Sequence, residues 1–512
     1  MILWSFFGNG VYLQSKTYFN TMLRKLRISL AVIFFACITL LFLDFTGTVH
    51  AWLGWMAKIQ FLPALLAMNV GIVVFLVLLT LIFGRIYCSV ICPLGVMQDV
   101  VSWICGKRKN KKFRFSYSRE IKWLRYGVLV LFVAAFIAGI NSFVALLAPY
   151  SSYGLIVNNL FAPIYQWGNN LLAYFAERLD SYAFYEVEVW LKSLTALIVS
   201  AVIFLIIAVL AWRGGRTYCN TVCPLGTLLG LLSRISLLRP VIDTAKCNGC
   251  TLCERKCKAS CINAKEHKID YSRCVACLDC VETCKQGAIS YAPRRKENKT
   301  AETTDASRRS FLAVTALFAG TAAVKAQGKK VDGGLAVIED KIAPERKTPI
   351  VPPGAVSVKH FYQHCTACQL CVSVCPNQVL RPSSDMKVFM QPEMSYERGY
   401  CRPECTKCSE VCPSGAILPI TREEKSSIQI GHAVLIKKNC ISTKKHPCGN
   451  CVRHCPTGAL QLVECHCGKP DSCYVPAINE ALCIGCGACE NVCPVRPFSA
   501  IYVEGHEVHS TI

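Results

Sequence analysis

Long stretches without a charged residue alternate with short polar segments in the first half of the chain. They cover residues 28–43, 59–84, 126–148 and 193–212. A helix needs roughly 20 apolar residues to cross the hydrocarbon core of a bilayer. The last three stretches reach that length, and the first is shorter and ends at Asp44. The pattern predicts four membrane-spanning helices within residues 1–240, with buried helices of a soluble core as the alternative.

Composition supports a membrane protein and locates its positive charge. Of the 512 residues, 53% are hydrophobic and only 17% are charged, which is too apolar for an ordinary soluble chain. The net charge of +23 could suggest a nucleic-acid partner, but residues 107–125 hold nine Lys or Arg and one acid, as cytoplasmic loops do. Residues 149–190 hold one Arg and four acids. We therefore expect the basic loop, the N terminus and the chain directly after residue 212 to be cytoplasmic, and no nucleic-acid partner.

A twelve-residue motif occurs twice, directly after the second and fourth apolar stretches. Residues 84–95 and 215–226 share the pattern GRxYCxxxCPLG. Two cysteines four residues apart lie on the same side of a helical turn. The two copies could therefore offer four thiolates to one redox or metal site, from Cys88, Cys92, Cys219 and Cys223. Thiols that simply pack at the helix ends and a reversible dithiol are the alternatives.

Residues 241–292 hold eight of the 34 cysteines, in two groups with gaps of two, two and three residues. In two-cluster ferredoxins the first three cysteines of a group bind one 4Fe-4S cluster and the fourth binds the other. The spacing predicts one cluster on Cys247, Cys250, Cys253 and Cys284, and a second on Cys257, Cys274, Cys277 and Cys280. Structural zinc is the alternative. Lys258 and Lys285 stand where bacterial ferredoxins usually have proline, which changes the turn and not the ligands.

An internal export signal is predicted in the linker formed by residues 293–358. Arg308 and Arg309 precede a short apolar run that ends in small residues near Ala326. This pattern resembles a twin-arginine signal, which would place the following chain in the periplasm. A short interfacial helix after a chance arginine pair is the alternative. Either cleavage or retention of the segment as an anchor is compatible with the pattern.

Residues 359–512 hold four further groups of four cysteines, and a proline follows the last cysteine of each, as in bacterial ferredoxins. The groups are Cys365, Cys368, Cys371 and Cys375; Cys401, Cys405, Cys408 and Cys412; Cys440, Cys448, Cys451 and Cys455; and Cys483, Cys486, Cys489 and Cys493. Four more clusters follow, which gives six 4Fe-4S clusters in total. The predicted fold class is a membrane α-helical bundle of about four transmembrane helices plus α+β ferredoxin-like 4Fe-4S domains. Two of Cys465, Cys467 and Cys473 could form a disulfide, with an additional metal site as the alternative.

Together, the motifs resemble two protein families that act in sequence. The four apolar stretches, the GRxYCxxxCPLG repeats and the first cysteine groups resemble the NapH-like membrane ferredoxins that supply electrons to periplasmic nitrate reductase. The arginine pair, residues 352–355 and the last four groups resemble the exported NapG/MauM-like polyferredoxins. The resemblance implies a natural fusion that works as a quinol dehydrogenase in the bacterial inner membrane. Its electrons would pass from the membrane quinone pool to a periplasmic reductase or cytochrome acceptor.

The C-terminal domain also resembles the four-cluster subunits of respiratory oxidoreductases. In that family the first and fourth cysteine groups share two clusters, and the second and third groups share the other two. This resemblance implies that Cys375 joins Cys483, Cys486 and Cys489, and that Cys493 joins Cys365, Cys368 and Cys371. It likewise implies that Cys455 joins Cys401, Cys405 and Cys408, and that Cys412 joins Cys440, Cys448 and Cys451.

Missing motifs narrow the function further. The sequence has no CxxCH motif for covalent haem, no GxxxxGK[ST] motif for nucleotide phosphates and no GxGxxG motif for dinucleotides. We therefore do not expect ATP-driven or NADH-driven chemistry. The chain is expected to be an electron-transfer component and not a stand-alone enzyme. Two alternatives stay open, an electron-supplying accessory factor for the maturation of a metalloenzyme, and electron entry from a cytoplasmic donor.

Overall fold

The computed structural model describes residues 2–44, 46–108, 115–181, 183–294, 340–444, 446–465 and 473–512. The described residues up to Ser233 are mainly helical. Their α-helices are α1 (Ile2–Leu43), α2 (Thr48–Leu53), α3 (Trp55–Lys58), α4 (Phe61–Leu66), α5 (Val70–Phe83), α6 (Ile86–Val90), α7 (Pro93–Arg108), α8 (Lys122–Ile137), α9 (Asn141–Leu147), α10 (Pro149–Ile156), α11 (Ala162–Arg178), α12 (Leu194–Gly214), α13 (Thr217–Thr221) and α14 (Pro224–Ser233). A π-helix (Val157–Phe161) joins α10 to α11. The arginine pair of the predicted export signal lies outside the described residues.

Two helices in the described part of the chain are long and apolar enough to cross a membrane, judged by length and composition. They are Thr21–Leu43 within α1, and α12. The prediction of four continuous spans is therefore not confirmed, because residues 59–84 and 126–148 each form two helices instead of one. Met68 adopts a left-handed conformation between α4 and α5, and Gly139 does so between α8 and α9. A left-handed residue interrupts an α-helix, so α5 and α8 are each shorter than the apolar stretches 59–84 and 126–148.

The helices of this bundle expose large apolar side chains on their outer surfaces. Those more than two-fifths exposed include Val32 and Leu40 on α1, Val74 and Phe75 on α5, Val130 and Leu131 on α8, and Val202 and Leu205 on α12. The interior is also apolar, and Ile38, Leu41 and Phe42 of α1 are fully buried there. The bundle is thus apolar inside and outside, which is unusual for a protein surface in water.

Two α+β units carry the ferredoxin cysteines, in agreement with the predicted fold of these parts. The first unit, residues 238–293, pairs strand β1 (Leu238–Ile242) with β4 (Ile289–Pro293) in antiparallel register. Between them lie α15 (Leu252–Lys256), β2 (Ile262–Asn263), β3 (Lys268–Ile269) and α16 (Asp279–Thr283).

In the second unit, residues 340–512, the described residues form three antiparallel strand pairs. They are β5 (Leu380–Pro382) with β6 (Pro392–Met394), β7 (Ile428–Leu435) with β10 (Ile501–Thr511), and β8 (Leu460–Cys465) with β9 (Cys473–Ile478). Its helices are α17 (Val358–His364), α18 (Leu370–Ser373), α19 (Lys407–Val411), α20 (Arg422–Ser427), α21 (Asn450–Arg453) and α22 (Ala488–Val492). Cys465 and Cys473 are paired in the backbone register of β8 and β9, and a disulfide there stays a prediction.

The two units contact opposite ends of Thr21–Leu43, the apolar part of α1. Arg24 Nε donates to Asp279 Oδ1 of the first unit at 2.7 Å. Phe42 lies beside Gly154, where the carbonyl of Cys368 from the second unit approaches the bundle. Arg24 and Phe42 are 18 residues apart, which corresponds to about 27 Å along a helix. The apolar bundle therefore separates the two ferredoxin units.

Candidate metal-binding sites

The first four cysteines predicted to bind a cluster surround one cavity. Cys247, Cys250, Cys253 and Cys284 line a cavity of about 400 Å³, walled by Ile242, Ala264 and Ile289. Cys284 therefore crosses to the three cysteines of the preceding group, as the spacing predicts. The second predicted set also comes together, since Cys280 lies within electrostatic range of Cys257, Cys274 and Cys277.

A recurring backbone conformation shapes the cysteine loops. In the four groups with regular CxxCxxC spacing, the residues on either side of the second cysteine both have positive φ. These pairs are Gly249 and Thr251, Ala276 and Leu278, Ala367 and Gln369, and Gly485 and Gly487. Backbone with this alternation points successive N–H groups into a concavity that binds anions, including iron–sulfur clusters. One such group is seen directly, because the Ala367 N–H donates to Cys365 Sγ at 3.4 Å.

The C-terminal unit corrects the pairing that the respiratory four-cluster family implied. Cys375 lines a cavity of about 410 Å³ with Cys401, Cys405 and Cys408, and not with the fourth group. Cys412 lies within electrostatic range of Cys365, Cys368 and Cys371. The first group therefore exchanges its last cysteine with the second group.

The third and fourth groups form the other pair. Cys455 lines a cavity of about 310 Å³ with Cys483, Cys486 and Cys489. Cys451 lies within electrostatic range of Cys440, Cys448 and Cys493. The nested pairing, in which the first group joins the fourth and the second joins the third, is wrong here. Each group instead packs against its neighbour in sequence, as shown by the contacts of α18 with α19 and of α21 with α22.

Each cysteine set encloses a volume and not a single point. Within the described ranges, no three His, Cys, Asp or Glu side chains close around one position that could hold a metal ion. A mononuclear zinc site needs sulfurs about 2.3 Å from the metal, whereas a cubane holds its ligands further apart. The cavities and the N–H concavities therefore fit 4Fe-4S clusters better than zinc.

The cysteine sets follow one another through the molecule. Cys371 lies within electrostatic range of Cys408, which links the two sets of the first pair. The Cys401 N–H donates to the Cys486 carbonyl at 2.9 Å, which links this pair to the next. Cys489 in turn lies within range of Cys451. The sixteen C-terminal cysteines thus form four consecutive sites.

The four cysteines of the repeated motif also come together, in the interior of the bundle. Cys88, Cys92, Cys219 and Cys223 are at most 4% exposed. Cys92 and Cys223 each lie within electrostatic range of Cys88 and Cys219. The expectation that the two copies meet is therefore supported by the geometry, and their chemical role stays a proposal.

Lys258, which replaces the usual proline, has a role that the sequence analysis missed. Its ammonium lies 3.1 Å from Asp279 in the first unit and 3.7 Å from Asp99 of α7. Burial alone would lower the pKa of Lys258, but the two carboxylates raise it above its ordinary value. A lysine after a cluster cysteine, in place of proline, was the only signal for this contact. Lys258 connects the first unit to the bundle.

Cys261 is a second feature that the sequence analysis left unassigned. It is 1% exposed, and its Sγ lies 3.6 Å from Sγ of the predicted ligand Cys257. A thiol is a weak hydrogen-bond donor, so Cys261 is placed to donate to a ligand sulfur. Nothing in its spacing from the other cysteines indicated this position.

The second unit docks on the bundle through amide side chains at the π-helix. Asn158 Nδ2 donates to the Gln369 carbonyl at 2.9 Å, and Asn159 Nδ2 donates to Gln369 Oε1 at 3.0 Å. Lys192 Nζ donates to Asn158 Oδ1 at 2.9 Å, and burial lowers the pKa of this lysine to about 8. A π-helix is rare and often marks a functional position. Here it presents two consecutive asparagines to a cysteine loop.

Comparison with known proteins agrees with this geometry. The sequence matches a family model described as a 4Fe-4S binding domain at residues 65–112 and 196–242, and a second model of the same description at 267–290 and 476–499. A 4Fe-4S dicluster domain model matches residues 364–417, which contain the first and second C-terminal cysteine groups. This last match coincides with the pairing seen in the structure.

Three relatives show the family. Ferredoxin-type protein NapF of Escherichia coli (strain K12) is 30% identical over 158 residues, which cover 31% of this chain and 87% of NapF. The chain belongs to this family of ferredoxin-type iron–sulfur proteins. Ferredoxin-type protein NapG of the same organism is 30% identical over 181 residues, 31% of this chain and 75% of NapG. Methylamine utilization ferredoxin-type protein MauM of Methylobacillus flagellatus is 31% identical over 166 residues, 31% of this chain and 70% of MauM.

Each family relative covers about a third of the chain, so this similarity supports the polyferredoxin part. No solved structure matches the chain. Iron–sulfur electron transfer of the ferredoxin type is therefore the function that family and geometry share.

Proposed function

We propose that the chain carries electrons across a membrane, from quinol to a periplasmic reductase or cytochrome, through six 4Fe-4S clusters. One observation carries the proposal. Two ferredoxin units lie at opposite ends of an apolar bundle, about 27 Å apart along α1, and the four cysteine sets of the second unit form a consecutive series. A hydrocarbon core is about 30 Å thick, so the separation matches a membrane.

The outer surface of the bundle supports membrane insertion. Apolar side chains such as Leu40, Phe75, Leu131 and Leu205 are exposed on four different helices. Contiguous apolar surface of this kind marks contact with lipid or with another protein. In this proposal α1 and α12 cross the membrane fully, and the shorter α5 and α8 complete four passes together with α4 and α9.

Charge distribution supports the assignment of the two sides. The basic loop contacts the first unit, where the Phe115 N–H donates to the Arg255 carbonyl at 3.1 Å. Residues 149–190, which hold four acids and one Arg, contact the second unit, where Arg398 lies 2.6 Å from Glu188. By the positive-inside rule the first unit is cytoplasmic and the second is periplasmic.

The chain's own residues would hold and insulate the clusters. The 24 cysteines of the six sets are the proposed ligands, and bound 4Fe-4S clusters would supply one-electron carriers with adjustable potentials. Cys368, Cys371, Cys483 and Cys489 are each less than 10% exposed, which keeps water from these ligand positions. Quinol as the donor is supported by the NapH-like motifs and by a bundle that a lipid-soluble molecule could reach.

The test is anaerobic EPR of the purified full chain, with iron and sulfide counted, before and after a reduced quinol analogue is added. We expect about 24 irons from the six ferredoxin sets, and reduced-cluster signals after quinol. The Cys368→Ser variant removes a ligand of the set nearest the bundle, so quinol should reduce fewer C-terminal clusters in it. Clusters that are present but silent toward quinol, and are reduced by a cytoplasmic donor, would contradict the proposal and favour the maturation role.

A further inference from the structure

The two GRxYCxxxCPLG motifs form one interlocked centre inside the bundle. Arg216 of the second copy donates from Nη1 to the Cys88 carbonyl of the first. Arg85 of the first copy donates from Nη2 to the Cys219 carbonyl of the second, at 3.1 Å. Each arginine therefore donates to a cysteine carbonyl of the other copy, so each copy depends on the other for this contact.

The glycine of each CPLG sequence is required by this exchange. A Cβ on Gly95 would overlap the Cys88 carbonyl and lie 2.8 Å from Arg216 Nη1. A Cβ on Gly226 would overlap the Cys219 carbonyl and lie 2.8 Å from Arg85 Nη2. The same two collisions in both copies explain why arginine, cysteine and glycine recur together in the motif.

Hydrogen-bond donors point at the sulfurs of this centre. Gln98 Nε2 donates to Cys219 Sγ at 3.2 Å, and the Gly226 N–H donates to Cys223 Sγ at 3.3 Å. Arg85 Nη2 lies 3.9 Å from Cys88 Sγ. Donors stabilise a sulfur that carries negative charge, and hydrogen bonds to ligand sulfurs are a feature of iron–sulfur sites.

The two arginines differ in how their charge is balanced. Arg216 is paired with Asp99 at 2.8 Å. Arg85 is fully buried and, among the described residues, forms no ion pair with a carboxylate, while its Nε has no hydrogen-bond partner. A buried cation without a counter-charge is costly. With neutral packed thiols or disulfides, the nearest negative charge to Arg85 would be that of the first-unit ligand Cys274. A thiolate-bound cluster at the motifs would add negative charge at Cys88, whose Sγ lies 3.9 Å from Arg85 Nη2.

We propose that Cys88, Cys92, Cys219 and Cys223 hold one iron–sulfur cluster that is shared by the two repeats. Each repeat supplies two thiolates, so neither could bind the cluster without the other. The match of both repeats to a 4Fe-4S binding domain model agrees with this chemistry. The inference concerns a metal site and holds whether or not quinol is the electron donor.

The position of the centre gives it a role between the two ferredoxin units. On one side, Arg85 Nη1 donates to the Ser272 carbonyl, two residues before Cys274, at 3.1 Å. On the other side, Tyr87 lies within electrostatic range of Cys92, and Tyr150 lies within range of both Tyr87 and Cys368. An electron would arrive from one neighbouring cluster and leave to the next, with no bond formed or broken and no proton moved.

The test compares metal content in the full chain, purified anaerobically in detergent. Wild type should contain one cluster more than the six ferredoxin sets bind, that is about two to four additional irons. The variant with Cys88→Ser and Cys219→Ser should lose these irons and keep the ferredoxin signals. Cys105→Ser is the matched control, since Cys105 is buried on the adjacent α7 and its thiol contacts the Trp212 carbonyl.

A milder variant separates a metal site from a structural role. Gln98→Leu removes the side-chain donor to Cys219 Sγ and keeps all four cysteines, so iron content should stay constant. One reduction potential should become more negative, because the reduced cluster loses a hydrogen bond. A purely structural glutamine would not move a potential.

Several results would overturn the inference. They are equal iron in wild type and the double serine variant, zinc in place of iron, or four cysteines that are trapped as free thiols or disulfides in native protein. Failure of the proposed function looks different, because there the additional irons are present but quinol reduces no cluster. Quinol reduction of a protein that holds only the six ferredoxin clusters would leave the proposed function intact and refute the seventh site.

Discussion

The two ferredoxin units contact the same bundle through different chemistry. The first unit is joined by charged groups, with Arg24 on Asp279 at 2.7 Å and Lys258 on Asp99 at 3.7 Å. The second is joined at its buried contacts by neutral amides that donate to backbone carbonyls, as Asn141 Nδ2 does to Tyr362 at 2.9 Å, and has a more exposed ion pair between Arg398 and Glu188. Charged contacts respond to salt and pH, whereas amide contacts do not.

At both ends a helix glycine lets a ferredoxin carbonyl approach the bundle. A Cβ on Gly230 of α14 would overlap the Ser272 carbonyl, and a Cβ on Gly154 of α10 would overlap the Cys368 carbonyl. Both carbonyls belong to residues in or next to a cysteine loop. The two units therefore approach the bundle equally closely, and the difference between them lies in the side chains that surround the contact.

The largest expected effect tests whether, in both units, the last cysteine of one group binds the cluster of the neighbouring group. Cys257→Ser in the first unit should remove the cluster held by Cys274, Cys277 and Cys280. Cys375→Ser in the second should remove the cluster held by Cys401, Cys405 and Cys408. Each variant should lose about four irons, and EPR of the reduced protein should lose one signal. Cys37→Ser, outside both units, is the control.

The nested pairing predicts a different result for Cys375→Ser. With that pairing, the variant would lose the cluster at Cys483, Cys486 and Cys489. A double variant of Cys375 and Cys401 separates the two pairings, because the observed geometry places both residues on one cluster. Loss of a second cluster in that double variant would refute the pairing of neighbouring groups.

A smaller effect should distinguish the two docking surfaces. Lys258→Met removes one cation from Asp279 and Asp99. We expect the free energy of undocking the first unit to fall by about 2 kcal/mol. This is less than the usual cost of breaking a buried ion pair, because Arg24 still pairs with Asp279 and Arg216 still pairs with Asp99. Asn159→Leu should loosen the second unit by about 1–2 kcal/mol. Hydrogen exchange of residues 238–293 and 358–373 measures both. Added salt should raise exchange more in residues 238–293 than in residues 358–373, and an equal response in both would contradict the comparison.

The pH dependence of the first contact follows from the same two groups. Burial would raise the pKa of Asp279, but Lys258 and Arg24 lower it below its ordinary value. The contribution of Asp279 to the stability of the contact is therefore present above the pKa of the unfolded state, and it is lost as the pH falls through the pKa of the folded state. The pKa of Lys258 is raised, so its contribution is lost as pH rises through the folded value. The contact should be strongest between about pH 4 and pH 10. Exchange in residues 238–293 should rise outside that range.

Cysteine spacing predicted the ligand sets of the first unit, whereas the pairing in the second unit was implied only by a family resemblance, which the geometry corrects. Within residues 241–292 only two groups exist, so the crossed rule has one solution. Four groups allow several pairings, and spacing does not say which groups are adjacent in space. The contact of α18 with α19, which decides the pairing, depends on a fold that no short motif encodes.

Hydrophobic patterning located the apolar segments but not their breaks. Met68 and Gly139 end helices inside uncharged stretches, and neither has a charge or proline that would mark the position. The exchange of Arg85 and Arg216 was also invisible, because the two motifs are more than 100 residues apart and only packing brings each arginine to the other copy. The sequence showed that the motif repeats, and the structure explains its arginine and glycine.

The smallest expected effect concerns Lys425, which donates to the sulfur of a predicted ligand; among the described residues the first unit has no such lysine donor. Lys425 is 5% exposed, and its Nζ lies 3.3 Å from Cys401 Sγ and 2.7 Å from the Arg402 carbonyl. In the first unit the comparable neighbour of Cys257 is the neutral thiol of Cys261, a weaker donor. A hydrogen bond to a charged group contributes about 1.5–3 kcal/mol. Only the part of this energy that differs between the oxidised and the reduced cluster changes the potential, so Lys425→Met should lower one reduction potential by less than about 60 mV. Redox titration followed by EPR measures the shift, and Cys261→Ala should move a first-unit potential by less. A shift of equal size in both variants would show that the charge of Lys425 does not tune the cluster, and that the two units differ in docking alone.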